Sequence, residues 1–262
     1  MAKATKKWGI GPISEYIAKH SLREKYAALD PPQITPVTYR GRTYHFHIPD
    51  AMTDKMQLAP LMGKYHELPL LERFASFVDS SGTICDLGAN FGSHTLYFAA
   101  VMKARHVHSF EPQAHLIDVI QRTLDLNSVD TVTLHQAVVG AKPGLAHLKK
   151  TNDENTGMAQ FRPGEGERSV KMLPLDDVVG GEHVTGVKID VEGMQMPVLR
   201  GMSKTIRRCA PVLWLELRPG KGEVEQPSEW LAKRGYRRLQ ISFRDFLFIH
   251  EDDAKASELY RI

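Results

Sequence analysis

The chain has 262 residues, 42% of them hydrophobic, with 34 Lys and Arg against 31 Asp and Glu for a formal net charge of +3. That length can bury a sizeable core in one large domain with an extension, and so mild a charge argues against a nucleic-acid-binding stripe. No run of eighteen apolar residues and no signal-type apolar core occur, so neither a membrane span nor export is expected, and Cys85 and Cys209, without CxxC spacing, read as buried free thiols of a cytoplasmic protein.

Lys3, Lys6 and Lys7 read as a solvated terminus. Ile13 to Leu29 has helical spacing, and Pro31-Pro32 marks a boundary after it. Alternation within 34–48 around Arg40-Gly41-Arg42 predicts a β-hairpin. His45 and His47 share one side of that hairpin, but with no third ligand nearby a polar strand face is the better reading than a metal site. Residues 1–60 are thus expected to form a helix-and-hairpin extension, and 61–262 the main domain. Gly63-Lys64-Tyr65-His66-Glu67 leads into a helix, Leu68 to Val78. Its polar residues either close over a bound molecule or cap the helix, where Glu67 suits the dipole.

Thr83 to Cys85 suit a buried strand, and Asp86, Gly88 and Gly92 then lead into a helix, Ser93 to Met102. Strand, glycine turn and helix open a doubly wound α/β fold. A dinucleotide fingerprint needs G-x-G-x-x-G, but the positions counted from Gly88 hold Asn90 and Ser93. No Gly-Lys-Ser/Thr follows either, which excludes a P-loop. Asp86 would repel a diphosphate and attract an ammonium group. S-adenosylmethionine has an ammonium, a sulfonium and a ribose diol, and no phosphate. Asp86 with the turn Gly88, Asn90, Phe91 and Gly92 is therefore expected to hold its methionine part.

His106 to Phe110 reads as the second strand, ending in Glu111-Pro112 about 20 residues past the turn, where a carboxylate suits a ribose diol. Pro112 can open the next helix at no hydrogen-bond cost. Taken singly, Asp86 could be a helix cap and Glu111 a solvated charge; at adjoining strand tips, together, they favour a ligand. A helix from Ala114 to Leu126 precedes the third strand, Val132 to His135. That strand ends at Gln136-Ala137-Val138, where Gln136, with Ala137 beside it, either pairs with the adenine edge or is a surface turn residue.

Residues 139–172 break the alternation, with β-like pieces at 145–148 and 169–173 and a polar stretch, 151–166, that suits a lid or binding loop. Asp176 and Asp177 are expected to cap a helix turn. The fourth strand, Gly186 to Gly193, puts Lys188, Asp190 and Glu192 on one face near its C-terminal end, where ligands bind in such sheets. These three are the expected catalytic residues, and Asp190 is expected to touch the cofactor as well. A helix from Met196 to Met202 leads to the fifth strand, Pro211 to Leu217. Its Glu216 needs a buried partner, for which Lys188 is the candidate. A loop at Pro219 to Gly222, a helix from Ser228 to Arg234, and an antiparallel hairpin of Tyr236–Ile241 and Phe246–His250 follow. Ser257 to Ile262 are not assigned.

Cys85-Asp86-Leu87-Gly88-Ala89-Asn90-Phe91-Gly92, Ser109-Phe110-Glu111-Pro112, Leu175-Asp176-Asp177 and Lys188-Ile189-Asp190-Val191-Glu192-Gly193 with Leu199-Arg200-Gly201 stand in this order before the Glu216 strand. Over roughly residues 60–250 the chain resembles the FkbM-type S-adenosylmethionine-dependent methyltransferases. The resemblance implies a Rossmann-like class I methyltransferase fold, with a mostly parallel seven-stranded sheet and a final antiparallel hairpin. It also implies O-methylation of a hydroxyl on a sugar or small metabolite, so a small-molecule or glycan acceptor. His66 departs from the family pattern by separating Tyr65 from Glu67. In-line attack on the sulfonium methyl needs mainly positioning, with Asp190 or Glu192 orienting or deprotonating the acceptor hydroxyl and His94 a weaker candidate base. Asp190 and Glu192 could also hold Mg2+, but no convincing ligand set accompanies them. A non-catalytic S-adenosylmethionine-binding module is the alternative; an NAD-dependent oxidoreductase is disfavoured by Asn90 and Asp86.

Overall fold

The computed structural model describes residues 12–29, 31–150, 155–220 and 222–256. Lys3, Lys6, Lys7 and the segments 151–154 and 257–262 named above lie outside them, as does Lys221 in the loop of Pro219 to Gly222. The chain begins with helix α1 (Pro12–Ala27) and the hairpin β1 (Ile34–Tyr39) and β2 (Arg42–His47), then the short α2 (Leu58–Leu61) and α3 (Leu68–Ala75). The core units are β3 (Thr83–Leu87), α4 (Ser93–Leu96, continued by a π-helical turn over Tyr97–Val101), β4 (His106–Phe110), α5 (Ala114–Leu126) and β5 (Val132–His135). The insert carries β6 (Ala137–Val139), β7 (Gly144–Lys150), β8 (Gln160–Pro163) and β9 (Val170–Leu173). The chain closes with α6 (Leu175–Val179), β10 (Val184–Ile189), α7 (Gln195–Gly201), α8 (Ser203–Cys209), β11 (Val212–Glu216), α9 (Glu225–Ala232), β12 (Tyr236–Gln240) and β13 (Asp245–His250).

One seven-stranded sheet runs β12-β13-β11-β10-β3-β4-β5. β3, β4, β5, β10 and β11 are parallel, and β13 is antiparallel to both of its neighbours. The expected α/β architecture and final hairpin are both present. Strands buried on both faces must be apolar almost throughout; β10 and β3 are buried at every position, so a charge within them needs a partner. Two apolar layers cover the sheet. Phe74, Phe98, Leu96 and Ile120 pack on one face, and Leu175, Val198, Leu199, Ile206 and Leu231 on the other. Each fully buried side chain of this size contributes about 1.5–3 kcal/mol.

The hairpin joins the first of these layers through Val37, Tyr44 and Phe46. Its β2 backbone is satisfied by side chains of α5. Asn127 accepts the His45 N–H at 2.9 Å and donates to the His45 carbonyl at 2.7 Å, and Thr123 accepts the His47 N–H at 3.2 Å.

Three local expectations are corrected. The insert is a second sheet of order β6-β9-β7-β8 rather than two isolated strand pieces. Helix α8 was not anticipated, and Asp176 caps that helix, not its own: its carboxylate accepts the N–H groups of Lys204 and Thr205 at 2.9 and 2.8 Å. Cys209 ends α8 and is half-buried, whereas Cys85 is fully buried; both are free thiols.

Candidate active site

The tips of β3, β4 and β10 meet at one end of the sheet. After Leu87 the chain turns through Gly88, Asn90 and Gly92, all at positive φ (+89°, +53° and +83°). Gly88 is required twice over. Its φ is costly for any side chain, and a Cβ there would lie 2.0 Å from the Asp190 carbonyl oxygen. Glycine thus lets the β3 turn and the segment after β10 touch.

The turn is closed from the other side by Glu111, which is only 3% exposed. Its carboxylate accepts the N–H of Asn90 at 2.9 Å and that of Gln113 at 2.9 Å. Burial pushes the Glu111 carboxyl up to about 7, against the pull of these two donors and of Lys188.

Two cavities adjoin here. The first is a narrow slot between the turn and the insert. Its walls are largely apolar (Leu87, Phe110, Ala137, Val138, Phe161, Met194), with Glu111, Pro112 and Gln113 at one side. The second is a polar chamber lined by His66, Glu67, His94, Lys188, Glu216, Arg218 and Arg244, with Met158 and Phe243 also on its wall. Gly88, Asn90, Gly157, Asp190 and Glu192 line both, so the two spaces share a wall.

Charge in the chamber is arranged around Lys188, which is 4% exposed. Its ammonium lies 3.3 Å from Asp190, 3.7 Å from Asp86 and 3.2 Å from the Gly88 carbonyl oxygen. Burial alone would favour the neutral amine, but Asp190, Asp86 and Glu67 together raise its pKa instead. Glu192 pairs with Arg218 at 2.7 Å. Asp190, the first cause, and burial push Glu216 up to about 9, so the Glu216 carboxyl holds its proton at neutral pH.

The structure does not bring all the expected residues to a cavity wall. Gly88, Asn90, Glu111, Pro112, Ala137, Asp190 and Glu192 line the slot; Phe91 and Lys188 line only the chamber. Asp86 lines neither. It has no exposure, because its side chain lies inside β3, where Thr95 donates to it at 2.7 Å and Lys188 neutralises it. Gly92 packs under Ile120 instead of facing the slot. Gln136 is also displaced: the chain turns directly from β5 into β6, so Gln136 faces an outer hollow beside Asp54 and Arg168. Nor is Lys188 the ion-pair partner of Glu216. Glu216 pairs with Arg244 at 3.6 Å, because Lys188 stands in register with Asp86 on one side and Trp214 on the other.

One segment of the insert was missed. Thr156 donates to Asp54 at 2.6 Å and accepts from the Asn90 amide at 2.9 Å, and the Thr156 carbonyl accepts from Gln113 at 3.2 Å. A single hydroxyl thereby ties the insert to the glycine turn and to the segment before α2, and Gly157 beside it lines both cavities. Nothing in the polar composition of 151–166 distinguished Thr156 from its neighbours.

Among the described residues, no group of three or more His, Cys, Asp or Glu is placed to hold a metal ion, and no helix is long and apolar enough to cross a membrane. A family model described as the methyltransferase FkbM domain matches residues 86–238, more than half of the chain. "Methyltransferase 1" of Beauveria bassiana is 29% identical over 186 residues, which cover 62% of this chain and 74% of that protein. The crystal structure of methyltransferase FkbM from Methylobacillus flagellatus superposes with a TM-score of 0.50 at 15% identity, over 91% of this chain. The present chain spans 59% of the length of that structure.

Proposed function

Because this chain belongs to the FkbM methyltransferase family and has a class I methyltransferase fold, we propose that it moves a methyl group from S-adenosylmethionine to a hydroxyl of a sugar or small metabolite. The observation that carries this reading is the pair of adjoining cavities: an apolar slot with a carboxylate at its side, sharing a wall with a polar chamber. The chemistry of the slot's lining suits a nucleoside. Glu111 Oε2 takes the Asn90 N–H at 2.9 Å, and Oε1 takes the Gln113 N–H at 2.9 Å and the Gln113 amide at 3.3 Å, which leaves a lone pair on Oε2 to accept from the ribose diol. Phe110, Ala137, Val138 and Phe161 offer the base apolar walls. When bound, the sulfonium supplies an activated methyl group.

In this reading Asp86 is a positioning residue: it holds Lys188, and Lys188 in turn fixes Asp190 and the Gly88 carbonyl. Asp190 and Glu192, on the shared wall, orient the acceptor hydroxyl toward the slot. The segment at Thr156 and Gly157 lines the slot, and in this reading it shields the bound donor from water. No ligand set for Mg2+ accompanies Asp190 and Glu192 among the described residues.

Calorimetry with S-adenosylhomocysteine and with NAD tests the donor; binding of the first and not the second is expected, and the reverse overturns the reading. Transfer of a labelled methyl into a panel of sugars, small hydroxylated metabolites and RNA tests the acceptor. Label in the hydroxylated small molecules is expected, and label confined to RNA refutes that half. Asp190→Asn and Glu192→Gln, singly, should each slow transfer about tenfold or more; full turnover in both removes their role.

A further inference from the structure

Four carboxylates line the chamber, and three of them face a lysine or arginine: Asp190 is 3.3 Å from Lys188, Glu192 is 2.7 Å from Arg218, and Glu216 is 3.6 Å from Arg244. A cation beside a carboxylate favours its charged form and so weakens it as a base, and Glu216, which Asp190 and burial push up to about 9, already carries its proton at neutral pH. Among the described residues, Glu67 alone of the four has no lysine or arginine within ion-pair distance. Its neighbours are imidazoles: His94 Nε2 lies 3.4 Å from one carboxyl oxygen, and His66 Nε2 lies 3.8 Å from the other.

The His94 ring is 6% exposed and is held between His66, with which it stacks at 5.9 Å, and Trp214 at 5.2 Å. The backbone of His66 is its hydrogen-bond partner, which leaves Nε2, on the Glu67 side, without one. A buried polar atom left unsatisfied is costly, and two sets of lone pairs 3.4 Å apart repel unless a proton lies between them. Glu67 itself caps α3 in left-handed backbone, φ +54°. Such a conformation costs a non-glycine residue of order 1 kcal/mol and collects at functional sites.

We propose, building on the methyltransferase reading above, that Glu67 is the catalytic proton acceptor for the acceptor hydroxyl and that His94 is its positioning residue, the two sharing one proton. In the step, the acceptor O–H bond breaks and its proton passes to Glu67. The freed oxygen pair forms the new bond to the methyl carbon, and the carbon–sulfur pair returns to sulfur. A cation and a carboxylate thus become two neutral groups. His94 Nε2 accepts a hydrogen bond from the protonated carboxyl and so receives the partner it lacks at rest.

Burial supports this division of labour, since it pushes Glu67 up to about 7 and His94 far below its ordinary value. Asp190 after β10 and Asp245 on β13 raise Glu67 further, Lys188 on β10 opposes them, and Lys188 and His66 both hold His94 neutral. Glu216 on β11 also faces Glu67.

The test has a part that needs no donor. In histidine-labelled protein without ligands, the His94 ring nitrogens should shift through pH 7 as Glu67 titrates, and Glu67→Gln should abolish that shift. With the best acceptor from the panel above, wild-type kcat should rise to a plateau above about pH 7. Glu67→Gln should lower kcat about 100-fold or more, remove the pH step, and leave the S-adenosylhomocysteine Kd within threefold. Glu67→Asp should restore part of the rate, and His94→Gln should move the pH step. A His94 resonance indifferent to Glu67→Gln, or a Glu67→Gln enzyme that keeps its rate and pH step, overturns the proposal. Failure of the wild type to bind S-adenosylhomocysteine would instead sink the donor assignment, and the resonance shift still decides whether the two side chains share a proton.

Discussion

Glu111→Gln separates two effects that the structure ties to one carboxylate. The amide keeps the size but replaces one acceptor oxygen by an N–H2 group. That group must face either the Asn90 N–H or the Gln113 N–H, each now 2.9 Å from a carboxylate oxygen. With the carboxyl neutral, losing that hydrogen bond costs about 0.5–1.5 kcal/mol; what the charged form gains from it is already contained in the carboxyl's pKa. Working the other way, the folded protein holds this carboxyl at about 7 instead of 4.5. A carboxyl raised on folding favours the native state below its unfolded value, and that contribution is lost as pH rises through 7. At pH 8 the ionised form therefore costs up to about 3 kcal/mol, which the neutral amide escapes. At pH 8 the relief from the ionisation cost is the larger effect, whereas at pH 4, where the folded carboxyl is neutral, only the lost hydrogen bond remains. The melting difference, variant minus wild type, should thus grow by about 6–10 °C between pH 4 and pH 8. Donor binding has no such compensation. An amide cannot match a carboxylate as acceptor for a diol, and the S-adenosylhomocysteine Kd should rise about 100-fold. Scanning calorimetry at the two pH values and titration calorimetry at pH 8 read both. A Kd within threefold of wild type refutes the diol assignment, and a melting difference independent of pH refutes the buried-carboxylate account.

Gly88→Ala places a methyl 2.0 Å from a backbone oxygen at φ +89°. It should cost about 3 kcal/mol or more in urea unfolding; a loss below 1 kcal/mol would show that the two segments can part freely. Thr156→Val removes the hydroxyl between Asp54 and Asn90, worth about 2 kcal/mol locally. It should weaken S-adenosylhomocysteine binding about tenfold and leave the global melting temperature within about 2 °C, since the segment opens without the core; unchanged affinity contradicts its covering role. Burial pulls His66 down to about 4, so on acidification the unfolded chain takes up a proton first and stability is lost between pH 6.5 and 4. His66→Gln should flatten that part of the acid unfolding curve, and an unchanged slope removes His66 as its source.

The sheet was legible because its strands obey simple rules. Buried parallel strands are apolar almost throughout, and Gly88, Asn90 and Glu111 stand just past strand ends where the turn chemistry begins. Partners between strands were not legible. Lys188 meets Asp86 through the parallel register of β10 and β3, and Glu216 meets Arg244 beside the antiparallel pairing of β11 and β13; both registers depend on the whole sheet. The insert hid its sheet for a related reason: β8 is polar and pairs with β7 only in three dimensions. Glu67 and His94 were each visible in the sequence, but nothing in their spacing revealed that a lone pair of one faces a carboxyl of the other.

Asp86 and Lys188 lie on neighbouring strands 102 positions apart in the chain, and each is almost wholly enclosed. Neither charge is tolerable alone in so dry a place. Evolution can therefore alter them only in step: a relative with a neutral side chain at the first position should have one at the second, and a lineage caught with a single change should have been selected against. Such correlated inheritance would mark the motif aspartate as a guardian of the lysine, a role quite different from that of a hand on the ligand.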